Sequence, residues 1–536
     1  MKRMWEKVKE TWREFWFVYE DEEDSTQHLS RSDKQSIWCG SFLMCAFTAV
    51  LCMAGIAIGN IRNNRQYEQD VEETLNMIAT YFATATEDEY DEIAQTIRHD
   101  LVFSEYGRDI FKTGKRPPNN WRSVFGGSVW EKVPGRDEYY FHSFGKKQPD
   151  FNWENPALRR ELYKMVNGWL DKGIAGFRVD AINFIKKDQT WADREPDGAD
   201  GLAKCTKACR NQPGLGAFLA ELRRETFDRH DCVTVAETAG VPYDKLGAFI
   251  GEDGYFSMVF DFHYADLDIA SGSEWFKRIP WTIPDLNEKI MRSQTALQQC
   301  GWAANFIENH DQPRATTKYL GAAQNDPDAV KTLGAMYFFL RGTPFIYQGQ
   351  ELGMVNFART SPAQFDDISS IDQYDRAIQE GLTAEQALHI VDLRSRDNAR
   401  TPFPWTAEQY GGFSQAKPWL AMTEEFPACN AAAQQKDSAS VLAFYREMIR
   451  FRQEGPCSRT LIWGDITPVA SSPDVIAYRR AYEGEEVWCW FNFGAAPARE
   501  AIPAGLEPVW GDTAAVQDGA LVLPPHRFVL MRRTVR

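Results

Sequence analysis

The chain has 536 residues, 43% of them hydrophobic, which is enough for a large core and more than one domain. Its formal net charge of −16 argues against a nucleic-acid partner, because such a chain does not neutralise phosphates. The ten cysteines form no CxxC pair and no His/Cys cluster. The sequence therefore predicts no zinc site and no disulfide framework, although a Cys205–Cys209 bond stays open.

One segment near the N-terminus is strongly apolar. The stretch 40–59 carries no charged residue, and at about 1.5 Å per residue it is long enough to cross a bilayer. Seven Lys or Arg residues precede it, whereas only Arg62 and Arg65 follow closely. This asymmetry predicts a single-pass membrane protein with residues 1–39 in the cytoplasm and the remainder outside. A cleaved signal peptide and a buried core helix are the alternatives.

The character of the sequence changes twice after this segment. Residues 60–105 are acidic and helix-prone, with no strand pattern. From Tyr106 onward the sequence is rich in aromatic residues and punctuated by Gly and Pro. A helix is predicted from Pro156, because Asn155 can cap it, Pro fits its first position, and apolar residues recur at helical spacing up to Gly173.

Short apolar runs that end in polar or acidic residues follow this helix, with helical stretches between them. Such alternation predicts a parallel (β/α)8 barrel over 156–464, with reactive groups at the carboxyl ends of the strands. Short strands with turns predict a C-terminal antiparallel β-sandwich over 465–536. The predicted barrel strands are IAGFRVDAI (174–182), CVTVAE (232–237), FSMVFDF (256–262), AANFIENHD (303–311) and TPFIYQGQE (343–351).

Three acids at or near the carboxyl ends of these predicted strands stand out: Asp180, Glu237 and Asp311. Glycoside hydrolysis requires a pair of carboxylates, one acting on the anomeric carbon and one protonating the leaving oxygen. Arg178 lies two residues before Asp180, on the same face of the strand, and can hold Asp180 ionised. Glu237 follows an apolar strand, where desolvation is expected to raise its pKa and suit it to general-acid work.

The motifs GFRVDAINF, VTVAE, FIENHDQPR and TPFIYQGQELGM resemble strand signatures of the α-amylase superfamily, glycoside hydrolase family 13. PNNWRSVFGGSVWE, KKQPDFNWENP and SRDNARTPFPW resemble its oligo-1,6-glucosidase and α-glucosidase branch. The resemblance covers residues 112–536 and implies a retaining α-glucosidase acting on short α-gluco-oligosaccharides. It implies Asp180 as nucleophile, Glu237 as acid/base and Asp311 as transition-state stabiliser. It also implies that Arg178, His310 and Arg400 bind substrate.

The resemblance implies a specificity role for Ala181, the residue after the nucleophile. In this branch Val at that position accompanies a preference for α-1,6 bonds, and smaller residues accompany α-1,4 cleavage. The smaller alanine therefore predicts mixed or α-1,4-tolerant activity, although one methyl-scale change is worth only ~1–3 kcal/mol.

The N-terminal region departs from the family. Members begin with the first three barrel strands, a DxxxNH motif and often a calcium-binding loop, and none of these is recognisable here. The predicted barrel is therefore incomplete, and residues 106–155 resemble the late part of the insertion that follows the third strand. No organic cofactor is implied, and calcium stays undecided. Residues 1–105 are either foreign to the enzyme, which would then be cytoplasmic, or part of a membrane-anchored variant.

A different class of function is also open. A cytoplasmic N-terminus, one membrane span and an amylase-like ectodomain describe the heavy subunits of amino-acid transporters, which bind partners and are not glucosidases. The chain keeps all three acids with their polar neighbours, which a purely structural ectodomain does not need. The enzyme is therefore the preferred hypothesis, with an inactive, membrane-anchored binding subunit as its alternative.

Overall fold

A computed structural model of the chain describes residues 109–270, 273–517 and 520–534. The predicted segments 1–39, 40–59 and 60–105 lie outside these ranges. Within the described ranges no helix has both the length and the apolar character needed to cross a membrane. The longest helix there, Ile283–Cys300, is amphipathic and buries one face only. The predicted transmembrane helix and single-pass localisation are therefore corrected: the structure gives a barrel-like α/β fold followed by antiparallel sheets.

The predicted helix after Asn155 is confirmed as α1, Pro156–Leu170. The Asn155 side chain accepts a hydrogen bond from the Ala157 amide at 2.9 Å, which satisfies one of the free N–H groups of the first turn. The remaining described α-helices lie between or after the strands. They are α2 (Thr206–Cys209), α3 (Leu215–Glu225), α4 (Leu246–Phe249), α5 (Ile283–Cys300), α6 (Pro327–Phe338), α7 (Ile368–Gln379), α8 (Ala384–Asp392), α9 (Asp397–Arg400), α10 (Ala431–Gln434), α11 (Val441–Glu454) and α12 (Ser458–Trp463).

Small antiparallel strands precede α1. β1, β4 and β3 form a three-stranded sheet in that order, and β2 pairs in parallel with β6, which comes after the first long strand of the central sheet. A cluster of buried aromatic side chains, including Trp121, Trp130 and Phe141, forms the core of this part. The strands are β1 (Phe111–Thr113), β2 (Trp121–Arg122), β3 (Trp130–Lys132), β4 (Glu138–Phe141) and β6 (Ala203–Lys204).

The central sheet is parallel and has five strands in the order β5-β7-β8-β9-β10 among the described residues. Four of the strands lie within the predicted apolar runs, and the fifth, at Trp302–Asn305, begins one residue before its run. The approach of β5 to β7 is close: a Cβ on Gly176 would lie 1.7 Å from the carbonyl oxygen of Val233, so only glycine fits there. The strands are β5 (Gly176–Val179), β7 (Val233–Glu237), β8 (Met258–Phe260), β9 (Trp302–Asn305) and β10 (Thr343–Pro344).

The two faces of this sheet bury different groups. Ala236, Val259 and Ala303 pack with the residues of α3 and α4 on one face. Val235, Met258 and Ala304 form a separate apolar cluster on the other. Alternation along a strand places Glu237 on the same face as Val235, and the pairing of Val235 with Arg178 places that arginine there too. The apolar face of the sheet that carries Val235 therefore ends, at the carboxyl edge, in two ionisable side chains, Arg178 and Glu237.

The C-terminal unit consists of two antiparallel sheets, ordered β11-β12-β13-β18-β15 and β14-β17-β16. β12 is buried on both faces: Val475 and Ala477 belong to the cluster shared with β17, whereas Ile476 and Tyr478 pack into the large core that includes α6. The strands are β11 (Asp465–Pro468), β12 (Val475–Tyr482), β13 (Glu485–Asn492), β14 (Ala498–Ala501), β15 (Glu507–Gly511), β16 (Val516–Gln517), β17 (Ala520–Leu523) and β18 (Phe528–Thr534).

The cysteines of the described part are free thiols. Cys205 and Cys209, spaced by one helical turn, are both buried against the aromatic core between the small sheets. The disulfide that the spacing left open is therefore not formed in this structure.

Candidate active site

The three predicted acids are all found at the carboxyl edge of the parallel sheet. Asp180 follows β5 directly, Glu237 is the last residue of β7, and Asp311 lies in the turn six residues beyond β9. Parallel strands bring their carboxyl ends to one edge, which is where barrel enzymes carry their reactive groups. Residues separated by more than 130 positions in the chain are thereby brought to one side of the molecule.

Arg178 joins the first two acids. Its Nη1 lies 2.6 Å from Oδ1 of Asp180, and its Nη2 contacts Oε2 of Glu237. The two carboxyl groups therefore share one guanidinium. Their exposure differs, because the Asp180 side chain is 69% exposed and that of Glu237 only 18%. One acid faces solvent and the other is largely desolvated, although they are immediate neighbours.

This difference in exposure determines the protonation of Glu237. Burial raises the pKa of Glu237 to about 8, and the neighbouring Asp180 carboxylate adds to that shift. The positive charge of Arg178 opposes the rise. Burial prevails because a desolvated carboxylate loses its hydration and one adjoining cation does not replace it fully. At neutral pH the Glu237 carboxyl group therefore holds a proton that it can donate.

The side-chain partners of Asp311 are basic residues. Arg400 donates from Nη2 to Oδ1 of Asp311 at 2.8 Å, and Arg396 donates from Nη1 to the same oxygen at 3.1 Å. Nε2 of His310 lies 3.3 Å from Oδ2 of Asp311. Arg400 also donates from Nε to the backbone carbonyl of His310 at 3.0 Å. The predicted pair His310 and Arg400 thus fixes the orientation of Asp311.

Two residues of this network were not singled out from the sequence. Arg396 contacts Asp311, and its Nε donates to Oδ1 of Asp367 at 3.0 Å. Asp367 caps α7 by accepting from the Ser370 amide at 3.1 Å. Arg396 stands four residues before Arg400 in the motif SRDNAR, a spacing that places both arginines on one side of a helical turn. That spacing could have identified Arg396 from the sequence, whereas no sequence pattern near Asp367 indicated its role.

Ala181 follows Asp180 in an uncommon backbone conformation. Its φ is 40° and its ψ 34°, in the left-handed region that side chains with a Cβ disfavour. Ala181 is half-buried and packs against the edge of the aromatic core that includes Trp121, Trp130 and Phe141. The turn at Ala181 therefore ends β5 abruptly and leaves Asp180 projecting at the sheet edge.

A buried ion pair supports the opposite side of the site. The Glu308 and Arg314 side chains are each 1% exposed, and Nη1 of Arg314 lies 3.0 Å from Oε1 of Glu308. The same guanidinium donates to the backbone carbonyl of Gln348 at 2.7 Å and to that of Ala399 at 3.4 Å. Ala399 immediately precedes Arg400. The pair therefore anchors the segment that presents Arg400 to Asp311. Glu308 and Gln348 thus support the structure of the site and are not placed to react with substrate.

Within the described ranges, no three His, Cys, Asp or Glu side chains come together in a way that could hold a metal ion. The polar groups that do converge at the sheet edge are carboxylates and guanidiniums, a set suited to proton transfer, carbon–oxygen bond cleavage and the binding of hydroxyl groups.

A parallel barrel-type sheet whose carboxyl edge presents one exposed carboxylate beside one protonated carboxyl group has the arrangement of a glycoside hydrolase. The chain belongs to the α-amylase family, since residues 75–460 match the model described as the α-amylase catalytic domain. The part of this match before residue 109 lies outside the described residues. Within that family the chain is a glycosidase of the α-glucosidase type, as the comparisons below show.

Curated relatives match the chain at 33–40% identity over about two thirds of their own length. A probable oligo-1,6-glucosidase from Bacillus subtilis (strain 168) is 40% identical over 398 residues, covering 73% of this chain and 70% of the relative. A trehalose-6-phosphate hydrolase from the same organism is 33% identical, with 73% and 68% covered. An α-glucosidase from Pediococcus pentosaceus is 37% identical, with 66% and 64% covered.

Solved structures show the same fold. Isomaltulose synthase from Klebsiella sp. LX3 superposes with a TM-score of 0.73 at 31% identity, covering 80% of this chain and 78% of that one. Trehalose-6-phosphate hydrolase from Bacillus licheniformis superposes with a TM-score of 0.70 at 28% identity, with the same shares covered.

Proposed function

We propose that the chain hydrolyses short α-1,6- and α-1,4-linked glucosides with retention of anomeric configuration. Asp180 is the nucleophile, Glu237 the acid/base and Asp311 the transition-state stabiliser. The observation that carries the proposal is that the single Arg178 guanidinium contacts both Asp180 and Glu237, which keeps the two carboxyl groups close together. Retaining enzymes hold their two carboxyl groups about 5 Å apart, whereas inverting enzymes leave roughly 6.5–9.5 Å for a water molecule.

The proposed reaction has two steps. In the first, a carboxylate oxygen of Asp180 attacks C1 of the glucose while Glu237 gives its proton to the glycosidic oxygen, so the C1–O bond breaks and the aglycone leaves. In the second, Glu237 takes a proton from water, the water oxygen attacks C1, and Asp180 is released as carboxylate. The raised pKa of Glu237 suits the first step, and the loss of charge on Asp180 during the intermediate suits the second.

The remaining polar groups are proposed to bind the glucose. Arg178 holds the Asp180 carboxylate in place, with Nη1 2.6 Å from Oδ1. Asp311 accepts from sugar hydroxyls as positive charge develops at C1, and Arg400 and His310 hold it in place. Ala181 leaves more room beside Asp180 than a β-branched residue would, which supports activity on both linkages. The names of the curated relatives, an oligo-1,6-glucosidase and an α-glucosidase, agree with this substrate class.

The alternative of a non-catalytic, transporter-associated ectodomain has no support from these relatives, which are hydrolases. A binding subunit also has no need of a carboxyl group that is kept protonated next to an exposed carboxylate. The enzyme proposal therefore stands as the conclusion for this site.

The test is hydrolysis of p-nitrophenyl α-glucoside, isomaltose and maltose by the full chain, with Asp180→Asn as control. We expect turnover by the parent, loss of turnover in the control, and α-glucose as the first product seen by proton NMR. β-Glucose as the first product would reject retention. Absence of turnover from folded protein would reject the enzyme proposal.

A further inference from the structure

Three arginines of one segment contact the turn that carries Asp311. Arg396 and Arg400 bind its carboxylate, and Arg400 also donates to the backbone carbonyl of the preceding residue. Arg394, two residues before Arg396, reaches the following residue: its Nη1 donates to Oε1 of Gln312 at 2.9 Å. The turn is therefore held on both sides of the acid as well as at the acid itself.

The buried side chain of Gln312 uses both of its polar atoms. Nε2 donates to Oδ1 of Asp266 at 3.2 Å, and Oε1 accepts from Nζ of Lys318 at 3.2 Å as well as from Arg394. The three partners belong to the loop after β8, to the short helix that precedes α6 and to the stretch between α8 and α9. Three separate elements thus fix one side chain, and through it the backbone next to Asp311.

Of the two cations on Gln312, Arg394 is the one whose charge is secured. Burial, helped by the neighbouring Arg394 guanidinium, lowers the pKa of Lys318 to about 7. Burial also disfavours the charge on Arg394, but the carboxylates of Asp266 and Asp268 outweigh it and raise the pKa of that guanidinium. Nη2 of Arg394 donates to Oδ1 of Asp266 at 2.5 Å. Because charged donors form the stronger hydrogen bonds, Arg394 is the dominant partner of Gln312.

We propose that Arg394 and Gln312 are positioning residues of the reaction, because they clamp the backbone beside Asp311 and so hold its carboxylate where positive charge develops at C1. The inference rests on the proposed glucosidase function and adds to it two residues that act through Asp311. The arginines on the carboxylate fix its oxygens, whereas the clamp fixes the chain that carries them. A displacement of about 1 Å in a group that stabilises a transition state lowers the rate by up to about 10²-fold.

The first experiment measures kcat and KM for isomaltose with the full chain and with Gln312→Met. Methionine is about as long as glutamine but offers Arg394 only a weak sulfur acceptor. We expect kcat to fall about 10- to 100-fold while KM stays within about threefold, because Asp311 is proposed to act in the transition state and not in the bound substrate. A general distortion of the pocket would instead raise KM as well.

Gln294→Met is the matched control. Gln294 is also buried and also uses both polar atoms: Nε2 donates to Oδ1 of Asn305 at 2.9 Å, and Oε1 accepts from the Arg341 amide at 2.8 Å. These partners belong to β9 and to the loop before β10, not to the Asp311 turn. Both variants should lower the melting temperature, since each loses buried hydrogen bonds. The control should keep kcat within about twofold of the parent.

The second experiment separates positioning from general support of the fold. In an Asp311→Asn background no carboxylate remains to be oriented, so adding Gln312→Met should change kcat by less than about twofold. The substrate is α-glucosyl fluoride, whose leaving group needs little catalytic help, so that residual turnover is measurable. Gln312→Asn keeps the amide but draws it back by one carbon–carbon bond, ~1.5 Å, and takes the place of Gln312→Met if that variant does not fold.

Each outcome decides the proposal. A loss of kcat in the Gln312 variant that Gln294→Met does not share supports the clamp, and so does the disappearance of that loss in the Asp311→Asn background. An equal loss in Gln294→Met, or a full further loss in the Asp311→Asn background, overturns it, because the effect would then be one of general stability. Parent-like kcat in a folded Gln312 variant overturns it too and leaves the glucosidase proposal intact. No turnover of either substrate by the parent overturns the glucosidase function itself.

Discussion

Nη1 of Arg178 lies 2.6 Å from Oδ1 of Asp180, two residues farther along the same chain, and the other end of the guanidinium contacts Glu237. A single cation thus serves two acids whose proposed roles require opposite charge states at the start of the reaction. Exposure distinguishes them: solvent keeps Asp180 well hydrated, whereas burial keeps a proton on Glu237. The division of roles follows from the surroundings of the two side chains and not from their chemistry.

Glu237→Gln should lower kcat/KM by an amount that depends on the leaving group. The amide cannot donate a proton, so a poor leaving group such as the sugar of isomaltose should lose about 10²- to 10⁴-fold. A 2,4-dinitrophenyl α-glucoside leaves without protonation and should lose far less in the first step. Steady-state kinetics on both substrates checks this. An equal loss on the two would remove Glu237 from the role of general acid.

The pH dependence of kcat/KM should show an alkaline limb near pH 8. The general acid works in its protonated form, and burial raises the pKa of Glu237 to about 8, so activity is retained at neutral pH and lost as the pH rises past that value. Arg178→Met removes the cation that opposes this rise, so its limb should move to higher pH even though its overall rate falls. A limb that stays in place or moves down contradicts the assignment to Glu237.

Glu237→Gln should also change the pH dependence of stability. A carboxyl group whose pKa is raised on folding destabilises the fold increasingly as pH rises from its unfolded value, 4.5, through about 8. The neutral amide lacks this penalty. The melting temperature of Glu237→Gln should therefore exceed that of the parent more at pH 8.5 than at pH 4.5. Differential scanning calorimetry at the two pH values measures the difference, and an unchanged difference would contradict the burial effect.

Ala181→Gly should stabilise the protein, and Ala181→Val should destabilise it. The left-handed backbone at φ 40° is unfavourable by about 1–2 kcal/mol for a residue with a Cβ and more for a β-branched one, whereas glycine adopts it freely. The greater freedom of glycine in the unfolded chain reduces the net gain to about 1 kcal/mol or less. Thermal unfolding ranks the three proteins. The isomaltose-to-maltose ratio of kcat/KM for Ala181→Val tests the proposed specificity role, since the ratio should rise.

Replacing one member of the Glu308–Arg314 pair should destabilise the fold more than replacing both. Either Glu308→Leu or Arg314→Met leaves one fully buried charge without its partner, which destabilises the fold by about 3–5 kcal/mol. The double variant Glu308→Leu/Arg314→Met should recover part of that loss, because no unpaired charge remains. A double-mutant cycle on melting temperatures checks the coupling. Additive losses would show that the two side chains contribute independently.

The sequence by itself determined the elements that depend on local patterns. Apolar runs bounded by polar residues located all five strands of the parallel sheet to within a residue or a few, and Asn155 with Pro156 located the start of α1. Motif spacing was sufficient to place Asp180, Glu237 and Asp311 at one sheet edge. The apolar run 40–59, in contrast, predicted a membrane anchor that the described fold does not support.

Only the tertiary structure decided how these groups work together. The apolar strand before Glu237 indicated its desolvation, but the exposure of the neighbouring Asp180 depends on what packs around the two adjacent strands. The link from Asp311 through Arg396 to Asp367 joins residues 29 to 85 positions apart, and the Arg396 guanidinium also lies 4.8 Å from the ring of Phe125, which comes before the barrel strands. A sequence records the spacing of neighbours along the chain, whereas desolvation and long-range ion pairs arise only when distant segments pack.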